Sequence, residues 1–175
     1  MKRFGFTLIE LMVVIAIMGI LSAIAVPKMF GLVAKSKASE VGVFAGVYVK
    51  LQDVFATESG AVGSWSKIGY EGPGNADVST KSTTSYFDYE DLFVSASGIN
   101  DGTILIGSIT TAIDGWSARS KTKLNDCPSQ SQWKIQVDGH FSNGSLVSYI
   151  AVAPLYTGSS DFCRSLTPNF TSVGK

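Results

Sequence analysis

Apolar positions are spread unevenly along this chain. From Phe6 to Val26 it reads FTLIELMVVIAIMGILSAIAV, with Glu10 as the only charge in the run. At ~1.5 Å per residue, such a run is long enough to cross a bilayer as a helix. Pro27 follows; it has no amide proton to donate and predicts a kink or local opening of the helix there. Beyond it, Ala34, Ala38, Val41, Ala45, Tyr48, Leu51 and Phe55 recur at three- and four-residue steps, the apolar face of a helix continuing over 28–59. Lys35, Lys37, Glu40, Lys50, Gln52 and Asp53 fall mostly away from that face. Gly42 and Gly46 each weaken the helix by roughly 1 kcal/mol relative to Ala, but their spacing permits close backbone approach on one side. The glycine after Ser59 predicts the stop, so Phe6 to Ser59 would span ~80 Å as one helix.

The pattern then changes. Ala61 to Asp101 has little helical periodicity, and Glu71 to Ser85 (EGPGNADVSTKSTTS) reads as an exposed loop. From Gly102 onward the chain looks like strands. Thr103 to Ile113 is rich in β-branched residues, and Trp133, Ile135 and Val137 alternate with polar neighbours. Leu146 to Val152 follows Ser142-Asn143-Gly144-Ser145, where Asn-Gly signals a hairpin turn. The expected fold is α+β: a long N-terminal helix whose second half packs on an antiparallel sheet of three to four strands within a globular region over 60–175.

Composition adds little to this picture. The 14 basic and 14 acidic residues cancel, so no global field marks a nucleic-acid binder. Charged residues are 16% of the chain while mean hydropathy is positive, as expected for an apolar block joined to a more ordinary domain. One charge does change the reading. Glu10 in a plain apolar anchor costs ~2.5–3.5 kcal/mol at the bilayer centre, and less near the end. A secretory signal peptide is one account of the segment, with Lys2 and Arg3 as its basic start and Ala23-Ile24-Ala25 as a small-residue cleavage site. An ordinary anchor is a second, though Lys28, Lys35 and Lys37 on the far side leave its orientation open. A cut between Gly5 and Phe6 is the third. It creates a cationic α-amino group that a staggered neighbour can place against Glu10, so that a mis-registered subunit buries an unpaired charge.

Met1 to Glu10, MKRFG-FTLIE, resembles the leader and processing site of type IV pilins and of the pseudopilins of type II secretion. The resemblance covers roughly the first thirty residues. It rests on the short basic leader 1–5, Gly5 before the cut, Phe6 after it and Glu10 four residues beyond. It implies a prepilin peptidase that cleaves after Gly5 and N-methylates Phe6. A homopolymer built by inner-membrane pilus assembly machinery is also implied. The chain would be a bacterial inner-membrane precursor first and an extracellular filament subunit afterwards, serving adhesion, motility or DNA uptake. Glu10 becomes the assembly register, and Gly19 and Pro27 match places where the family's helix loses regular structure in pili.

Cys127 and Cys163 have the wrong spacing for a zinc ribbon or a Cys-x-x-Cys pair. Delivery outside the cytoplasm makes a disulfide the expectation. Pilins commonly carry such a C-terminal disulfide region, here 127–163, whereas the major pseudopilins usually lack one, which favours a pilus subunit over a pseudopilin.

No enzyme, cofactor or metal site is expected. His140 is the only histidine. Asp88, Glu90 and Asp91 offer oxygens to a hard cation but lack EF-hand spacing, so an acidic turn or short helix is expected. Asn143 and Asn169 fit a general glycosylation pattern. Arg119, Lys121 and Lys123 alternate and would form one basic face if extended, the only hint of a nucleic-acid partner. Phe30, Phe44, Tyr48 and Phe55 have core spacing rather than that of a conduction path. Two function classes stand: a structural polymer, and a membrane-tethered binding module in which the helix is only an anchor.

Overall fold

A computed structural model describes residues 5–78, 80–93, 102–139, 146–154 and 162–175. The leader charges Lys2 and Arg3, His140, and the Asn143 turn and glycosylation pattern lie outside the described residues.

Helix α1 (Leu8–Ser59) runs through Gly19 and Pro27 without a break. It stops where Gly60 turns left-handed at φ 66°, a conformation that costs glycine nothing, and the Gly60 N–H bonds the Ala56 carbonyl at 2.9 Å. Strand β1 (Ala61–Gly63) and the short helix α2 (Trp65–Ile68) follow. Then come β2 (Asn75–Val78), β3 (Lys81–Thr83), β4 (Phe87–Asp91), β5 (Thr103–Leu105), β6 (Ile113–Ser120), β7 (Gln132–Asp138) and β8 (Ser148–Val152). A last short helix, α3 (Phe162–Leu166), leads to a 3-10 turn at Phe170–Ser172.

Strands β2-β3-β4-β6-β7-β8 form one antiparallel sheet in that order, and β1 pairs separately with β5. The core lies between the second half of α1 and the inner face of the large sheet. Ala38, Val41, Ala45 and Tyr48 from the helix are fully buried, as are Phe87, Trp116, Ala118, Trp133, Ile135 and Val137 from the strands. Small residues on the helix let the large aromatics of the sheet approach. Trp133 packs edge-on against Phe87 at 5.6 Å, and Tyr48 against Tyr70 at 5.7 Å.

Several expectations are corrected. The large sheet has six strands rather than three to four. The Glu71–Ser85 loop contains β2 and β3, short strands organised by pairing: β3 onto β4, and β2 onto β3. The acidic segment around Asp88 is neither turn nor helix but β4: Phe87, Tyr89 and Asp91 point inward and Asp88 and Glu90 outward. A buried carboxylate at an inward position hid the alternation. Thr103–Ile113 is not one strand. It breaks into β5 and a 3-10 turn at Ile106–Ser108, and the long strand β6 begins only at Ile113.

On α1, Gln52 is fully buried rather than facing away. Its amide donates to the Tyr48 hydroxyl at 3.0 Å and to the Gly63 carbonyl, and accepts from the Gly63 N–H at 3.2 Å. Glu40, half-buried, accepts from the Thr84 hydroxyl at 2.7 Å and from Tyr89 at 2.9 Å. Lys37 lies over the Tyr86 ring at 4.3 Å. These polar residues attach the helix to the sheet. Gly42 and Gly46 meet nothing within 4 Å at the position of an added Cβ, so among the described residues no close approach uses them.

Candidate assembly helix

Among the described residues, the first half of α1 is not buried against the rest of the fold. Phe6, and the large apolar side chains from Leu8 to Val33, are exposed around the whole circumference of the helix. By length and composition the helix can cross a membrane. Phe30 belongs to this exposed set at 61% rather than to the core, while Tyr48 is buried and Phe44 and Phe55 pack partly against the core. In water this surface would be very costly, because burying one large apolar side chain is worth ~1.5–3 kcal/mol. Lipid, or other helices, must therefore surround it.

Glu10 sits in the first turn, and Thr7 is the residue that caps it. The Thr7 hydroxyl and the Thr7 backbone N–H both donate to Glu10 Oε2, at 2.6 and 2.8 Å. The Glu10 N–H points back to the Thr7 hydroxyl at 3.4 Å, which completes a reciprocal capping box. The side chain thus has a local partner in a single subunit, and it also lies where the helix dipole favours an anion. Thr7 is the residue that the sequence argument missed. Its signal was present as T-x-x-E directly ahead of an apolar run. Gly5 and Phe6 precede the cap and are exposed. Gly19 and Pro27 lie on the exposed half of the helix.

The remaining candidates separate. Asp88 and Glu90 face outward, where Lys121 lies 3.9 Å and Lys81 2.9 Å away, while Asp91 faces the core. Among the described residues no group of three or more His, Cys, Asp or Glu side chains is placed to hold a metal ion. The Asp91 carboxylate accepts from the Trp65 N–H at 2.7 Å and the Phe93 N–H at 3.0 Å. Burial pushes its carboxyl up to about 6, and those two bonds only partly offset the loss of water. Arg119, Lys121 and Lys123 do not share a strand face, since β6 ends at Ser120 and Lys121 turns back to Thr83 and Thr84 at 3.0 and 3.2 Å. Asn169 is exposed beside the last 3-10 turn.

Cys127 and Cys163 are joined, with Cα atoms 4.8 Å apart. The bridge ties α3 to the segment between β6 and β7 and encloses β7 and β8.

Residues 1–26 match the family model described as the prokaryotic N-terminal methylation motif. Fimbrial protein EcpC of Eikenella corrodens is 35% identical over 126 residues, covering 70% of this chain and 76% of that protein. Type IV major pilin protein PilA of Myxococcus xanthus (strain DK1622) is 64% identical over 36 residues, which are 21% of this chain and 16% of that protein. Type IV major fimbrial protein FimA of Dichelobacter nodosus is 40% identical over 81 residues, covering 43% of this chain and 50% of that protein. With the motif at its front, the likeness to EcpC continuing into the globular region, and a long helix packed on antiparallel sheet, the chain belongs to the type IV pilin family.

Proposed function

We propose that this pilus subunit is made as a precursor and cut between Gly5 and Phe6 by a prepilin peptidase that also methylates the Phe6 amine. Inner-membrane assembly machinery then builds the mature chain into a homopolymer through α1. The carrying observation is a capped helix whose first half is exposed on all sides and apolar, with Glu10 as the one charge between Leu8 and Val26. In lipid that surface is already shielded from water, so extraction is feasible only when neighbouring helices replace the lipid. Glu10 sets the stagger of those helices, since it is satisfied where the amine of Phe6 in a neighbouring copy meets it. Gly19 and Pro27 are the points at which the helix opens when it is packed in the fibre. The role is structural, with no catalytic residues and no cofactor. The Cys127–Cys163 bridge favours a pilus over a secretion pseudopilus.

Intact-mass analysis of sheared filaments tests the processing step: the subunit should begin at Phe6 and carry one methyl group. A subunit beginning at Val26 would restore the signal-peptide account. Glu10→Ala should insert into the membrane normally and assemble poorly, because it removes a charge from an apolar span and the register with it. Normal filaments from that variant would favour the binding module with a plain anchor.

A further inference from the structure

We propose that Thr7 is a positioning residue for assembly. It holds the Glu10 carboxylate through a single oxygen, so the charge is satisfied in the lone subunit while the second oxygen stays free for the amine of a neighbouring copy. The inference rests on Glu10 being the register.

Both Thr7 donors, hydroxyl and backbone N–H, end on Glu10 Oε2. Among the described residues nothing bonds Oε1. A carboxylate has lone pairs on both oxygens, so one edge is anchored and the other remains open. Anchoring matters here because the helix offers no other polar side chain within reach on its first turns: Leu8, Ile9, Leu11 and Met12 are all apolar. Without the Thr7 hydroxyl only the backbone N–H holds the side chain, which then swings more readily toward the membrane surface or takes up a proton in the lipid. Either event removes the anion from the place where a neighbour's amine must find it. A cut after Gly5 leaves the device intact, because Thr7 keeps its amide bond to Phe6 and therefore its N–H donor. The hydroxyl thus does two things: it accepts from the Glu10 N–H as a helix cap, and it donates to the Glu10 carboxylate. Only the second concerns assembly.

The two roles separate by substitution. Thr7→Ser keeps both. Thr7→Gly keeps the helix start, since glycine is nearly as well tolerated as threonine at this position, but has no hydroxyl to donate. Thr7→Val keeps the shape and loses both. Filaments are counted on cells after intact mass has shown processing and circular dichroism has shown unchanged helicity. The proposal expects normal filaments from Thr7→Ser and a drop on the order of tenfold from both Thr7→Gly and Thr7→Val, the scale of one hydrogen bond to a charged group. Normal assembly by Thr7→Gly with failure of Thr7→Val would reduce Thr7 to a cap, and normal assembly by both would remove it from the mechanism. If a substitution next to the cut blocks processing, solid-state NMR of the uncut wild-type chain in phospholipid vesicles decides instead. A contact between the Glu10 carboxyl carbon and Thr7 Cβ supports the arrangement, and its absence overturns it. The underlying register reading fails separately, through normal filaments from Glu10→Ala.

Discussion

At the residue scale, two buried polar side chains hold the helix, the small strands and the large sheet together. Asp91 is 2% exposed and receives two backbone N–H groups, one from the start of α2 and one just past its own strand. Its carboxyl is raised from 3.8 to about 6 by burial. A carboxyl with a folded value above its unfolded one holds the extra proton in the native state between the two. Its contribution to stability is therefore complete below 3.8 and is lost as pH rises through about 6. Urea unfolding across that window should show stability falling with pH in the wild type and a flatter dependence in Asp91→Asn. Equal slopes would mean that other groups carry the effect. Gln52 is the second case. Gln52→Leu fits an apolar environment but strips partners from both polar groups of Gly63, and should cost about 2–4 kcal/mol. A loss under about 0.5 kcal/mol, the size of an ordinary surface change, would show that the amide is dispensable.

At the element scale, α1 has two regimes. From Leu8 to Val33 it is exposed all round and apolar apart from Glu10, Ser22 and Lys28, and from Ala34 to Ala56 it presents one buried face to the sheet. Val43, Val47 and Val54 remain exposed on the outward side of that second half. The C-terminal elements are too short to hold themselves in place, since α3 spans only Phe162–Leu166. The bridge over 36 residues does that work, and on the chain-entropy model closing a loop of this length is worth roughly 4 kcal/mol. Exported subunits, denatured without reductant, should show no free thiol to a labelling reagent. Paired Cys127→Ser and Cys163→Ser substitution should lower the unfolding free energy by roughly that amount. Two labelled cysteines in the exported form would contradict the bridge.

At the scale of the whole molecule, polymerising surface and folded core are segregated. The inner face of the sheet is used up on its own helix, with Trp116, Trp133, Ile135 and Val137 fully buried. Its outer face carries Asp88, Glu90, Lys81, Lys134 and Asp114, cross-linked by pairs such as Lys134 to Asp114 at 2.7 Å. A truncated chain beginning at Lys28 should be a soluble, disulfide-bonded monomer with mixed helix and strand signals in circular dichroism. Met29, Phe30, Leu32 and Val33 stay exposed at the start of its helix and Val43, Val47 and Val54 further along, a far smaller apolar surface than the run from Phe6 to Val26 that the truncation removes. Sedimentation at high concentration checks this, and filaments from the truncated chain would move the driving force to the sheet.

The sequence by itself determined what depends on local periodicity and on single conspicuous residues. An unbroken apolar run needs no partner to be recognised, the three- and four-residue spacing of Ala34 to Phe55 states which face will be covered, and strand β7 alternates over its whole length. Glu10 stood out because a charge in such a run is expensive wherever it lies. Tertiary structure decided the rest. Strands β2 and β3 are too short and too polar to announce themselves; β3 exists by pairing onto β4, and β2 by pairing onto β3. Inward Asp91 and buried Gln52 violate the apolar pattern because backbone N–H and C=O groups from distant segments satisfy them. Such partners are brought together only by folding, so a local pattern cannot contain them. The Thr7 cap lies between the two cases: its spacing to Glu10 was readable, but that both donors share one carboxylate oxygen is a matter of geometry.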